Sequence, residues 1–238
     1  MIRNHGNRAV RLKDGFEPEP FVCYNLNGMK RIVFLLIAAS VAFAQTAEDV
    51  AQKTEAQLRS YQTLQAEFDH IYYSSSVATP LRETGTCYFQ KPGLMKWHYK
   101  KPEEKIYLLK ESIFESYFPE DNQLLRSSFV KEDESDILLL LSGKQGLLEN
   151  YTAEFSPFPT ENTDVLQIKL TPKKEDMESF ILLEIRTKTW LIRKAVFFDW
   201  AGNKSEFHFN RIRLDTSLPS KTFELKVPKG TEIITDIK

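Results

Sequence analysis

Cysteine is almost missing from this chain: the 238 residues contain two, Cys23 and Cys87. Cys23 precedes the one long apolar run and Cys87 follows it, so no internal disulfide is available to the part beyond that run and its stability must come from packing. A single Cys inside the strand-like TCYF segment reads as a buried, inert thiol. Glycine is also scarce, with 9 residues, and Gly143-Lys144 lacks the earlier glycine that a phosphate-cradling loop needs. Neither sign of charge dominates, with 32 Lys and Arg against 33 Asp and Glu, which gives no basic surplus for nucleic acid. The motifs G-x-S-x-G, H-E-x-x-H and C-x-x-C and a calcium-loop pattern are all missing.

A membrane-spanning run is lacking too. The longest apolar stretch, Ile32 to Ala44, has 13 residues and would rise about 20 Å as a helix against a hydrocarbon core of roughly 30 Å. Met29-Lys30-Arg31 precedes it and Ala42-Phe43-Ala44 closes it, the pattern of a secretory signal peptide over residues 29–44 with Gln45 as the first mature residue. Residues 1–28 are polar and turn-rich, and are expected to be an extension upstream of a true start at Met29. Cys23 lies before the apolar run and so is no site for a lipid anchor. Removing the six basic and three acidic residues of positions 1–44 leaves 26 against 30, a net charge of −4 over residues 45–238.

What the chain does have is aromatic side chains, 12% of residues with 17 Phe, within 42% hydrophobic content. That suffices for one sizeable core and favours apolar cargo over phosphate chemistry. After Thr46, the residues Ala47, Val50, Ala51, Thr54, Leu58 and Tyr61 recur at helical spacing, with Glu48 and Asp49 in the first turn and Arg59 near the end, which predicts an amphipathic helix. From Tyr61 the period becomes two: Leu64, Ala66, Phe68, His70 and Tyr72 alternate with polar residues as in a half-buried strand. Short strand-like runs follow, from RETGTCYFQK through GLMKWHYK and EKIYLLK to SEFHFNRIRL and KTFELKVP, with turns at Pro92-Gly93, Pro119 to Asn122 and Ala201 to Asn203. The expected class is α+β: a single unclosed antiparallel β-barrel of about eleven strands over residues 45–238. In KSEFHFNRIRL the apolar parity switches between Phe209 and Ile212, which predicts a bulge or a strand end. The segment EDESDILLLLSGKQGLLENY interrupts the pattern with acidic residues before Ile137 to Leu141, suiting short helices that cover the open mouth of the sheet.

No side chains assemble into an obvious catalytic set. His70, His98 and His208 sit singly in strand-like runs and read as structural, while Glu103-Glu104 and Glu132 to Asp136 read as solvated turn and helix-start charge. In FQKPGLMKWHYKKPEEK, Trp97 and Tyr99 share one strand face and His98 takes the other.

The order of certain features is more specific. An exported chain with an N-terminal helix, then Gly85, Lys91-Pro92, Trp97 and Pro102 in the spacing G-x-x-x-x-x-[KR]-P-x-x-x-x-W-x-x-x-x-P, resembles the periplasmic outer-membrane lipoprotein carrier family, LolA. Tyr117 with Pro119, LTPK at 170–173, Asp199 with Gly202-Asn203 and the closing FELKVPKGTEII extend the match. The resemblance implies a helix-lidded half-barrel around an apolar cavity. Phe68, Phe89, Trp97, Tyr99 and Tyr117 would line it; Ile137, Leu138, Leu140, Leu141 and Leu147 would form the lid; and Lys91, where many relatives have Arg, would latch that lid. It also implies a monomeric periplasmic chaperone without cofactor or enzymatic activity. Its partners would be triacylated lipoproteins, an inner-membrane lipoprotein-releasing ABC transporter and an outer-membrane acceptor, with no nucleic acid. The alternative reading is a periplasmic lipid-sensing regulatory protein of similar half-barrel fold.

Overall fold

The computed structural model describes residues 45–128, 146–158, 160, 162–174 and 178–236. The expected extension, signal peptide and most of the expected lid, including Ile137, Leu138, Leu140 and Leu141, lie outside the described residues. Helix α1 spans Ala47–Ser60 and α2 Leu147–Asn150. The strands are β1 Thr63–Tyr73, β2 Leu81–Gln90, β3 Leu94–Lys101, β4 Lys105–Lys110, β5 Ile113–Phe118, β6 Gln123–Ser128, β7 Tyr151–Phe155, β8 Val165–Pro172, β9 Glu178–Arg186, β10 Ile192–Asp199, β11 Lys204–Leu214 and β12 Glu232–Asp236.

All twelve belong to one sheet in the order β12-β6-β5-β4-β3-β2-β1-β11-β10-β9-β8-β7. Two antiparallel hairpin series, β1 to β6 and β7 to β11, are joined where β1 pairs with β11. The ends, β7 and β12, do not pair with each other, so the sheet curls without closing.

Helix α1 begins as its sequence demands. The Thr46 hydroxyl accepts from the Asp49 amide at 3.2 Å, and the Asp49 carboxylate accepts from the Thr46 amide at 3.1 Å, a reciprocal cap that satisfies two otherwise orphan donors. Ala47, Val50, Ala51, Thr54 and Leu58 are buried; the helix packs against β7, β8 and α2 on the inner face of the sheet. Thr54 is tolerated there because its hydroxyl donates to the Val50 carbonyl at 2.9 Å.

Alternation along the strands sorts side chains onto two faces. Leu64, Ala66 and Phe68 of β1 face inward and register with Phe89, Cys87 and Gly85 of β2, which in turn oppose Met95, Trp97 and Tyr99 of β3. The same inward face continues through Phe209 and Phe207 of β11, Ala195 of β10, Leu183 and Ile181 of β9, and Ile168 and Leu170 of β8, and these residues form one buried cluster with α1. The expected bulge is present: Gln65 opposes Arg213 and Glu67 opposes Asn210, so Ala66 faces two residues, and Arg211 takes φ 48°.

The C-terminal strand departs from expectation. KTFELKVP is not a strand but a 3-10 turn at Ser220–Phe223 followed by extended, unladdered chain. That segment straps the convex face, where Lys96 Nζ donates to the Glu224 carbonyl at 3.1 Å. Its alternation arises from lying on a sheet, not within one. The true last strand, β12, runs parallel to β6, the one parallel pair among the described strands. Asn122, at φ 50°, locks its entry: its side chain donates to the Gly230 carbonyl at 3.0 Å, and its carbonyl accepts from the Glu232 amide at 3.0 Å.

Candidate functional site

The inward face of β1 to β5, β10 and β11 carries an almost unbroken aromatic surface. Phe68 meets Trp97 at 4.9 Å and Tyr99 at 4.8 Å between ring centroids, both edge to face. Phe89 meets Trp97 at 5.9 Å, and Trp97 reaches Phe207 at 5.7 Å. Phe207 continues to Phe209 and Phe197, and Tyr99 continues to Tyr107, which stacks on Phe114. Each such pair adds about 0.5–1.5 kcal/mol beyond area burial. The close approach of Phe68 depends on Gly85 opposite it, where an added Cβ would lie 2.5 Å from Phe68 Cζ and overlap the His98 carbonyl.

Of the residues expected from sequence, Phe68, Phe89, Trp97 and Tyr99 are thus brought together. Tyr117 is not. It pairs with Ile106 and Leu124 on the opposite, convex face, where it is buried. Leu147 is buried in α2 beneath α1, its amide donating to Glu55 Oε2 at 3.0 Å. His98 points away from the aromatic face, as expected, and bonds Glu104 at 2.6 Å.

Lys91 lies just past β2 and engages the last turn of α1. Its ammonium donates to the carbonyls of Leu58 at 2.7 Å and Arg59 at 3.0 Å, and sits 4.3 Å from the Tyr61 ring centroid. A helix C-terminus presents unpaired carbonyls and partial negative charge, so a cation is favoured there. Burial lowers the Lys91 pKa while Asp215 opposes the shift. Among the described residues its partner is therefore the N-terminal helix.

Sequence reasoning missed Tyr107, Phe114, Phe197, Phe207 and Phe209, although alternation in SEFHFN signalled Phe207 and Phe209. It also missed a polar cluster on the same inward face. Glu83 Oε2 lies 3.0 Å from His70 Nδ1, His70 Nε2 lies 2.7 Å from Ser205 Oγ, and Lys105 Nζ donates to Glu83 Oε1. The connectivity resembles a nucleophilic triad, but Ser205, at the start of β11, is laddered between Tyr72 of β1 and Phe197 of β10, and ladder pairing occupies backbone amides that an oxyanion would need. Cys87 is fully buried and burial pushes its thiol well above the usual range, which removes it as a nucleophile. Among the described residues no group of three His, Cys, Asp or Glu is placed to hold a metal ion, and no helix is long and apolar enough to cross a membrane.

A separate cavity of about 260 Å³ lies on the convex side, lined by Gln90, Leu94, Lys110, Leu218, Ser220, Phe223 and Glu224. It is formed between the C-terminal strap and the outer face of β2 to β4.

The chain is similar to known proteins in sequence and in fold. The chain is 28% identical over 211 residues to the outer-membrane lipoprotein carrier protein of Azotobacter vinelandii, covering 87% of this chain and 100% of that one. It is 26% identical over 214 residues to the protein of the same description from Pseudomonas putida, with the same coverages. Among solved structures, an uncharacterized conserved protein from Thermus thermophilus has the same fold, with a TM-score of 0.52, 14% identity and coverage of 80% of this chain and 99% of that one. A LolA superfamily protein from Nitrosomonas europaea aligns with a TM-score of 0.42, 13% identity and coverage of 76% and 99%. The family model for the outer membrane lipoprotein carrier protein LolA matches residues 59–226, and the chain belongs to that family.

Proposed function

We propose that this protein carries acylated lipoproteins across the periplasm, taking them from an inner-membrane lipoprotein-releasing ABC transporter and handing them to an outer-membrane acceptor. Membership of the family makes it a lipoprotein carrier rather than an enzyme. The observation that carries the finer reading is the inward aromatic face, contiguous from Phe114 to Phe209 in a sheet left unclosed. At about 0.8 kcal/mol per buried CH₂, one 16-carbon chain represents about 12 kcal/mol of unfavourable exposure. Acylated proteins therefore cannot cross water at useful rates without a surface to bury those chains. Residues 29–44 serve as the export signal in this reading, and Gln45 begins the mature protein.

The Lys91 contact supplies a mechanical element. By tying the end of β2 to the last carbonyls of α1, it holds one edge of the helix against the face that the acyl chains must reach. Entry of cargo competes with the packing of α1, and weakening this tie shifts that competition toward the open arrangement.

Release of a radiolabelled triacylated lipoprotein from spheroplasts tests the proposal. The folded protein is expected to bring the lipoprotein into the soluble fraction in a one-to-one complex. Folded protein that leaves all of it on the membrane would overturn the carrier reading.

A further inference from the structure

Among the described residues, the ion pairs that link neighbouring strands lie on the convex face with one exception, those of Glu83. Glu83 is 5% exposed and projects among aromatic rings. Burial opposes its ionisation, yet hydrogen bonds from His70 and Lys105 hold its carboxyl below the usual range. The His70 ring lies flat on Phe207, with centroids 4.1 Å apart, and the Lys105 ammonium sits 5.2 Å over Tyr99. With Ser205 these side chains form a polar belt across β4, β2, β1 and β11. It lies at the end of the inward face away from the Lys91 contact, and the ring of Phe207 connects it to Trp97.

Counting donors and acceptors shows what such a belt can bind. Glu83 Oε2 and Ser205 Oγ occupy the two ring nitrogens of His70, so neither is left for a ligand. Lys105 spends one of its three N–H groups on Glu83 and keeps two. Trp97 Nε1 is buried and has no hydrogen-bond partner, a donor whose burial costs free energy until an acceptor meets it. The free groups are therefore donors, while the Glu83 and Lys105 charges cancel. A free carboxylate would find the Lys105 ammonium already paired with Glu83, and an alkyl chain alone would leave the donors unmet. What fits is an uncharged acceptor attached to apolar chains.

We propose that this belt, with Trp97 Nε1, binds the carboxylic-ester carbonyls of a diacylated lipid whose chains lie on the aromatic face. The proposal rests on the carrier reading and adds to it the chemical group that sets the register of the cargo. Lipoproteins and phospholipids both carry such esters, and the experiment separates them.

Binding of a dipalmitoyl-glyceryl lipopeptide is compared with that of its dialkyl-ether analogue, which has the same chains without carbonyls, and with the matched ester and ether forms of phosphatidylglycerol. The ester lipopeptide is expected to bind about tenfold tighter than the ether, the effect of one or two hydrogen bonds. Trp97→Phe, which removes the indole N–H but leaves an aromatic ring, and Lys105→Met should each reduce that ratio severalfold; Lys194→Met, on the convex face, should leave the ratio intact. A stronger ester preference with the lipopeptide than with phosphatidylglycerol assigns the belt to lipoprotein cargo, and an equal preference assigns it to the shared ester chemistry. Equal binding of ester and ether by the wild type, or a ratio untouched by both Trp97→Phe and Lys105→Met, overturns the proposal. Failure to bind any acylated probe would instead remove the carrier reading on which it rests.

Discussion

The two faces of this sheet are made from the same strands, yet they solve different problems. On the convex face Glu206 is bound by Lys194 at 2.8 Å, Lys204 at 3.2 Å and His208 at 2.6 Å, and Glu67 accepts two bonds from Arg211. Glu115 with Arg126 and Glu184 with Arg193 repeat the theme. Charge there ties strand to strand: Glu184 and Glu206 are buried within their pairs, whereas an exposed pair such as Glu67 with Arg211 contributes little by itself. On the inward face aromatic rings do the tying, and among the described residues the strand-linking ion pairs there are those of the Glu83 belt. The difference shows that the inner surface is kept apolar along nearly its whole width, beyond what adhesion of the strands requires.

Substitutions on the two faces should therefore separate stability from cargo. Phe68→Ala removes a ring that is 2% exposed and touches Trp97 and Tyr99; it should cost about 3–5 kcal/mol in urea unfolding and weaken acyl-chain binding in the same protein. Glu206→Gln should cost about 1–3 kcal/mol with acyl binding unchanged, which a denaturation curve and a lipid titration together would establish. The His208 hydrogen bond, ahead of the opposing cost of burial and helped by Lys194 and Lys204, depresses the Glu206 carboxyl far below its unfolded value of 4.5. Its stabilisation is present above that unfolded value and is lost as pH falls below it toward the folded one. Acid unfolding of Glu206→Gln should accordingly show a shallower loss of stability below about pH 4.5 than the wild type. Smaller still, Lys91→Met should cost about 1 kcal/mol by leaving the last carbonyls of α1 without their donor. Faster amide exchange in the last turn of α1, restored by Lys91→Arg, would identify the loss as local.

Much of this architecture was legible in the residues. The helix from Ala47, the inward set Leu64, Ala66 and Phe68, the shared face of Trp97 and Tyr99, and the bulge near Arg211 all follow from periodicity, because each borders a single buried side. Tyr117 was not legible because β5 is apolar at both parities: Phe114 and Phe118 face inward while Ile113 and Tyr117 face the convex side. With apolar residues on both faces, alternation cannot choose. KTFELKVP misled for a related reason, since a strap lying on a sheet buries every second residue just as a strand does. β12, by contrast, is exposed throughout, so burial left no pattern to read. The Glu83 belt needed register: His70 and Glu83 are 13 residues apart, and Ser205 lies 135 residues from His70, so only strand pairing brings them together.

Photo-cross-linking with a lipopeptide carrying a diazirine near the middle of one acyl chain, followed by mapping of the labelled residues, bears most directly on which face holds the cargo. Label is expected on Phe68, Trp97, Phe207 and their inward neighbours, and to be competed away by unlabelled lipopeptide. Label concentrated on Leu94, Leu218 and Phe223, around the convex cavity, would contradict it.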